Sequence, residues 1–144
     1  MTACVFIGIL SKDAVASQLD AWRLLPRPER LTELYFIHNA HLPVVLKPGK
    51  TQAVGFTIHN LEHQTTTYRY VVAAIAPAKE QILGEGTATL AHDAFRDVSR
   101  TFVVPKLGPR LEIRISLEYS GIPLGQDSAR PETQAIHYWV NTAP

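Results

Sequence analysis

The chain has 144 residues, with 14 Lys+Arg against 13 Asp+Glu and 46% hydrophobic residues. That is the balance of one folded domain, large enough to build a core without staples. A net charge of +1 gives no basic footprint for phosphate neutralisation, which excludes a nucleic-acid partner of that kind. The single cysteine, Cys4, excludes an internal disulfide framework and a four-cysteine zinc site.

Residues 1–30 read as a lead. The apolar run Ala3–Leu10 is too short to span a membrane, which takes about 20 residues. Ala14-Val15-Ala16 has the small-x-small form of a signal cleavage site, although no Lys or Arg precedes the run. Three readings stay open for this start: a secretory signal, a shortened remnant of a membrane anchor, or an N-terminal strand, helical turn or frayed end. Cys4, with no His or second Cys near it in sequence, reads as a small buried hydrophobe. From Ala14 to Leu25 the spacing of Val15, Leu19 and Trp22 predicts a short amphipathic helix, stopped by Pro26 and Pro28. It has too few cations to favour a membrane surface, so packing beside the body is expected. Arg27-Pro28-Glu29-Arg30 reads as a stiff connector.

Residues 31–144 change to period two. Strands are predicted at Leu31–His38, Thr51–Asn60, Thr66–Ile75, Gly84–Leu90, Arg96–Val104, Arg110–Tyr119 and Gln134–Val140. The clearest is Arg110–Tyr119, in which five apolar and five polar residues alternate. Lys47-Pro48-Gly49-Lys50 predicts a type II turn, because Pro fixes φ and Gly accepts a positive one. Asn60 is expected to close its strand by bonding local backbone in a left-handed conformation. Tyr68 and Tyr70 are expected to bury their rings and keep a hydroxyl for the sheet rim. No helical stretch after Pro28 is long enough for a parallel crossover. The predicted class is all-β: an immunoglobulin-like antiparallel β-sandwich of about seven strands, with a short N-terminal helical lead. A small closed barrel is the alternative.

One connected pattern resembles known proteins. It runs from Leu42-Pro43-Val44-Val45-Leu46-Lys47-Pro48-Gly49-Lys50 through Ala53–Glu62 to Thr67-Tyr68-Arg69-Tyr70-Val71-Val72. It is similar to bacterial and archaeal extracytoplasmic Ig-like modules. With Thr32–Phe36 before it and Ile136–Val140 near the end, the chain resembles unknown-function family sixteen-sixteen, whose members are membrane proteins with an Ig-like domain outside the membrane. The resemblance implies an extracytoplasmic or cell-surface location and attachment through an N-terminal anchor ahead of Trp22–Arg30. Here Lys12, Asp13, Gln18 and Asp20 stand at the anchor's place, so the anchor is missing or shortened. The family brings no catalytic residue.

Chemistry-bearing residues are few. His38 and His41 are echoed by His59 and His63; with strands alternating in direction, the two pairs fall at opposite poles. His59, Glu62, His63 and His92 are therefore the one set that could gather, but zinc needs three or four donors in fixed geometry, and solvated turns are the ordinary account. His92-Asp93 and Ser99 offer hydrolytic groups without any nucleophile elbow, and adjacent residues on a strand face opposite ways. Gly84-Glu85-Gly86 reads as a strand entry or bulge rather than a phosphate loop. Glu112 and Glu118 share a face with Arg110 and Arg114, which suggests ion pairing. No catalytic residue, cofactor or metal ligand is assigned.

Binding is the stronger class. Ser120–Thr133 is the longest segment expected to be irregular, and its natural contact groups are Ile122, Leu124 and Arg130. Trp139 alternates with Tyr138, so one of them faces outward unless the Trp22 helix covers it. The expected function is a non-catalytic structural or interaction module with a protein or glycan partner. A carbohydrate- or cell-wall-binding module is the alternative. The two differ in surface: a row of exposed aromatics on one sheet suits sugar, and an apolar edge suits protein assembly.

Overall fold

The period-two pattern becomes two sheets. The computed structural model describes residues 30–121 and 130–143. The N-terminal lead, with Cys4 and Trp22, and the loop residues Ile122 and Leu124 lie outside the described residues. The described strands are β1 (Leu31–Phe36), β2 (Val45–Leu46), β3 (Thr51–Leu61), β4 (Thr66–Ala76), β5 (Lys79–Leu90), β6 (Phe95–Val103), β7 (Arg110–Gly121) and β8 (Arg130–Thr142). One sheet has the order β1-β3-β6 and the other β2-β8-β7-β4-β5. Two separate sheets make this an Ig-like sandwich and set aside the closed barrel.

The alternation explains the layers. Leu111, Ile113, Ile115 and Leu117 of β7 are fully buried, as are Tyr68 and Val72 of β4 and Phe56 and Ile58 of β3. Phe56 meets Tyr70 edge-on across the core, with centroids 5.3 Å apart. Each such side chain contributes about 1.5–3 kcal/mol through burial. Gly49 takes φ 79°, and Lys50 N–H closes the turn on the Lys47 carbonyl at 3.1 Å, as the Pro-Gly pair required.

β1 stops at Phe36, short of the expected His38, and the structure differs from expectation in four further places. β2 is an eighth strand, two residues long and too short to show a period. After His38, whose φ is 56°, and a 3-10 turn at Asn39–His41, the chain changes sheets and β2 pairs in parallel with Asn141 and Thr142. β5 begins at Lys79, not Gly84, because Ala76 pairs with Lys79 across a two-residue Pro77-Ala78 turn. Its first residues are all exposed, so no alternation announces them. Val72 pairs with Gly84 but Ala73 with Ile82, which leaves Leu83 as the bulged residue.

The third and fourth differences concern Ser120–Thr133 and Asn60. Glu118 to Gly121 pair with Thr133 to Arg130, so both flanks of the expected loop are strand. Pro131 is accommodated because β2 covers only the last residues of β8, and the edge beside Pro131 has no partner strand among the described residues. Asn60 does not adopt the left-handed conformation; His63 does, with φ 58°. Instead Asn60 is fully buried and donates to the carbonyls of Gln64 and Leu90, both at 2.8 Å.

Candidate functional site

Five of the six histidines divide between the two ends of the sandwich, as alternating strands dictate, and His137 lies within β8 opposite Arg114. His38 and His41 line a concavity with Gln52–Gly55 at one end, whereas His59, Glu62, His63 and His92 lie at the other. The second group gathers without converging. His59 Nδ1 meets Glu33 at 2.8 Å and Nε2 meets Asp93 at 3.1 Å, so both ring nitrogens are occupied by carboxylates on opposite sides. Those hydrogen bonds, to Glu33 first and Asp93 second, raise the His59 pKa above 6.5. His63 and His92 stack with centroids 4.3 Å apart, and His92 Nδ1 accepts the His63 backbone N–H at 3.2 Å. Glu62 is buried and accepts from Thr32 Oγ1 at 2.7 Å. Among the described residues no group of three His, Cys, Asp or Glu is disposed to hold a metal ion.

The hydrolytic groups are likewise separated. His92 and Asp93 sit in a turn, not on a strand, and Asp93 has φ 62°. Ser99 pairs with Gly55 in the middle of β6, remote from that turn. The acidic residues of β7 form ion pairs: Arg114 Nε donates to Glu112 at 2.7 Å, and Arg69 bridges Glu118 at 3.3 Å and Glu85 at 3.0 Å.

Trp139 faces outward on β8 and is 47% exposed. The Arg110 guanidinium lies 4.6 Å from its ring centroid, and His137 meets it edge-on at 6.4 Å. Glu112, directly opposite Trp139 on β7, is buried beneath this group although it belongs to the solvent side of the sheet. Arg130 opens β8 opposite Gly121, at the far end from Trp139. An extended strand puts them roughly 30 Å apart, so Arg130 and Trp139 do not form one site. The other strongly exposed aromatics, Tyr35 and Phe95, belong to β1 and β6 of the other sheet.

A feature that the sequence did not single out lies between β1 and β8. Among the described residues β1 pairs with β3 alone, and β8 pairs with β7 along its length and with β2 at Asn141 and Thr142, so two edges without a described partner run side by side at the lateral mouth of the sandwich. Between them is an open cleft of about 620 Å³, lined by Thr32–Tyr35 and Gln134–Ile136. One side-chain bond spans it, Gln134 Nε2 to the Thr32 carbonyl at 3.0 Å. Leu34 and Phe36 of β1 and Ile136 and Tyr138 of β8 pack against the core there but remain only partly covered. Two buried polar atoms at this mouth, Gln134 Oε1 and the Tyr138 hydroxyl, have no hydrogen-bond partner. Alternation marks Gln134, Ile136 and Tyr138 as one face of a strand; which strands end up at a bare edge is decided by strand order, which no local pattern encodes.

The chain matches no protein-family model and no curated protein sequence. Solved structures show the same fold at low identity. A CARDB domain from Pyrococcus furiosus, solved in complex with di-metal ions, aligns with TM-score 0.50 and 12% identity over 80% of this chain and 93% of that one. A β-glucosidase from Listeria innocua, solved with glucose, aligns with TM-score 0.51 and 12% identity over 83% of this chain, which is 17% of the enzyme. The PapD-like domain of human CEP192 aligns with TM-score 0.45 and 11% identity. The first two likenesses, with the two separate sheets, show an Ig-like β-sandwich fold. Among the described residues no helix is long and apolar enough to cross a membrane.

Proposed function

We propose that this chain is a non-catalytic interaction module displayed outside the cytoplasmic membrane, which engages a protein partner. The observation that carries this reading is the cleft between β1 and β8, where apolar side chains and two unpartnered polar atoms stand at the mouth of an otherwise packed sandwich. The groups with potential chemistry support a non-catalytic role: His59, Glu62, Asp97, Glu112 and Glu118 are each tied to a neighbouring side chain. The extracytoplasmic placement is supported by the resemblance carried by Leu42–Val72 and Ile136–Val140 to unknown-function family sixteen-sixteen, and membrane attachment through an N-terminal anchor is part of the same proposal.

A carbohydrate partner is the second reading, and exposed Trp139 with Arg110, His137 and Glu112 around it favours it. Against it, the exposed aromatics Tyr35, Phe95 and Trp139 are spread over both sheets, and Arg110 already covers part of the indole. One experiment addresses location and partner together. A tag in the Pro77-Ala78 turn should be cleaved by protease added to cells whose outer layer is opened, and a protease-shielded cytosolic protein would refute the placement. Immobilised module should then retain binding to isolated envelopes after glycan digestion and lose it after protease treatment; the opposite pattern selects the carbohydrate reading.

A further inference from the structure

We infer that the end of the sandwich where β2 and β8 finish and β7 begins binds a small organic polyanion, a molecule with several carboxylate or phosphate groups on an apolar body. This site is separate from the β1/β8 cleft and does not depend on what occupies that cleft. It is a concavity of about 720 Å³, lined by Lys47, Lys50 and Lys106 around Pro48, Pro109 and Ala143. That volume falls in the range of small-molecule pockets, roughly 300–1,000 Å³. Three segments distant in sequence build it, and backbone bonds fix the base of each lysine. Lys50 N–H closes on the Lys47 carbonyl at 3.1 Å, so the two lysines are the first and last residues of one turn. Their Cα atoms therefore lie within about 7 Å of each other. Gly49 N–H meets the Val104 carbonyl and Val104 N–H the Lys50 carbonyl, both at 2.9 Å, which brings the Lys106 loop beside that turn. Thr142 ties the third side, its N–H to the Pro109 carbonyl at 2.9 Å and its Oγ1 to the Gly108 carbonyl at 2.6 Å. The concavity is thus formed before a ligand arrives, which lowers the cost of binding.

The near-neutral net charge conceals an uneven distribution. Lys47, Lys50, Lys79 and Lys106, all the lysines among the described residues, stand at this one end of the sandwich. The segments 36–52, 102–111 and 140–143 that meet here contain no Asp or Glu. The nearest carboxylates in sequence are Glu80, beside Lys79 in the β4–β5 hairpin, and Glu112, already held by Arg114 at 2.7 Å. Among the described residues Lys47, Lys50 and Lys106 enter no ion pair. Like charges gathered on adjoining turns repel one another, and a ligand with several negative groups relieves that repulsion. Between the ammonium groups Pro48, Pro109 and Ala143 present apolar surface, which an organic body covers and a bare inorganic anion does not.

The test uses the full chain and trimesate, a flat apolar ring bearing three carboxylates. Benzoate keeps the ring with a single charge, and pyrophosphate keeps a comparable charge without the ring. Calorimetry is expected to show trimesate binding about tenfold tighter than either, the scale of two further exposed ion pairs. Raising the salt concentration should weaken it. Amide NMR shifts on binding are expected at Lys47, Gly49, Lys50 and Lys106–Gly108. Lys50→Gln and Lys106→Gln change exposed side chains outside the core and should each weaken trimesate by about threefold. Lys79→Gln removes the same charge from the same end but outside the concavity, and should leave binding unchanged. An equal loss in Lys79→Gln and Lys106→Gln would reduce the effect to the general field of this end and overturn the proposal. So would failure of trimesate to bind, equal binding of benzoate or pyrophosphate, or shifts confined to other residues. Binding seen only after a neutral Gly-Ser tail is added beyond Pro144 would assign the concavity to the chain's own terminal carboxylate, and it too would overturn the proposal.

Discussion

Arg100 on β6 reaches Tyr70 on β4 across the corner of the sandwich opposite the β1/β8 mouth, hydrogen bonding its hydroxyl while the guanidinium lies 5.3 Å from the ring centroid. The same Nη2 donates to the Glu85 carbonyl at 3.2 Å, so one cation ties the two sheets together beside β5. This arrangement requires glycine at position 86. A Cβ there would stand 2.7 Å from Arg100 Nη2 and closer still to the Tyr70 hydroxyl.

Gly86→Val is therefore expected to destabilise the fold by about 1–3 kcal/mol, the range for overpacking a closed site. Urea denaturation should show a lower midpoint with an unchanged slope. Gly108→Ala is the control, because its Cβ meets nothing within 4 Å. An equal loss in both variants would count against the Tyr70–Arg100 corner.

His59 gives the fold a pH dependence. Its folded pKa is raised above the ordinary 6.5, chiefly by the hydrogen bond to Glu33 and then by that to Asp93. The stabilisation is thus fully present below about pH 6.5, while both carboxylates remain ionised, and is lost as pH rises through the higher folded value. Thermal unfolding should show a higher Tm near pH 5.5 than near pH 8. His59→Gln should reduce that difference, and the His59 ring should titrate above 6.5 by NMR. A His59 value at or below 6.5 would contradict the two-carboxylate clamp.

How much of this was legible in the sequence depends on the range of the interaction. The core face of Arg110–Tyr119, the outward Thr67 and Arg69 beside inward Tyr68 and Tyr70, and the turn at Gly49 follow from alternation and from one residue's φ. Separation of the two histidine pairs to opposite ends follows from antiparallel order alone. The cleft does not, because Gln134 and Thr32 are 102 residues apart and meet only once the strand order is fixed. Nor does the clamp on His59, which joins β1, β3 and the turn before β6. The flanks of the Ser120–Thr133 segment contain Gly121 and Pro131, local breakers that long-range pairing of β7 with β8 overrides.

Two tyrosines make opposite predictions for the same substitution. Burial pushes the Tyr138 hydroxyl up to about 12, and that oxygen has no partner. Tyr138→Phe removes an unmet polar atom and is expected to change stability by about 0–1 kcal/mol in the favourable direction. The Tyr68 hydroxyl instead meets Thr32 Oγ1 at 3.0 Å, and Thr32 in turn donates to Glu62 at 2.7 Å. Tyr68→Phe should cost about 1–2 kcal/mol. Denaturation of both variants checks the ordering, and spectrophotometric titration should lose its most alkaline tyrosine in Tyr138→Phe. A larger loss in Tyr138→Phe than in Tyr68→Phe would show that the hydroxyl at the cleft is satisfied.

Asn60 supplies the most demanding case, since its three side-chain hydrogen bonds are all to backbone. Its Nδ2 donates to the Gln64 and Leu90 carbonyls, and its Oδ1 accepts the Glu62 N–H at 2.9 Å. The side chain thereby joins the end of β3 to the turn before β4 and to the end of β5. Asn60→Ala strands two carbonyls and one N–H in a fully buried place, which should cost about 2–4 kcal/mol. Asn60→Asp is nearly the same shape but aims a carboxylate oxygen at those two carbonyls. Burial and the facing oxygens disfavour its charged form, so the folded pKa is raised above the usual carboxylate value of about 3.9. Its stability relative to the wild type should then be highest at acid pH and fall as pH rises through the unfolded and then the folded value. Denaturant midpoints of the two proteins between about pH 3.5 and pH 7 measure this directly. A gap between them that does not widen as pH rises would mean that position 60 is open to water.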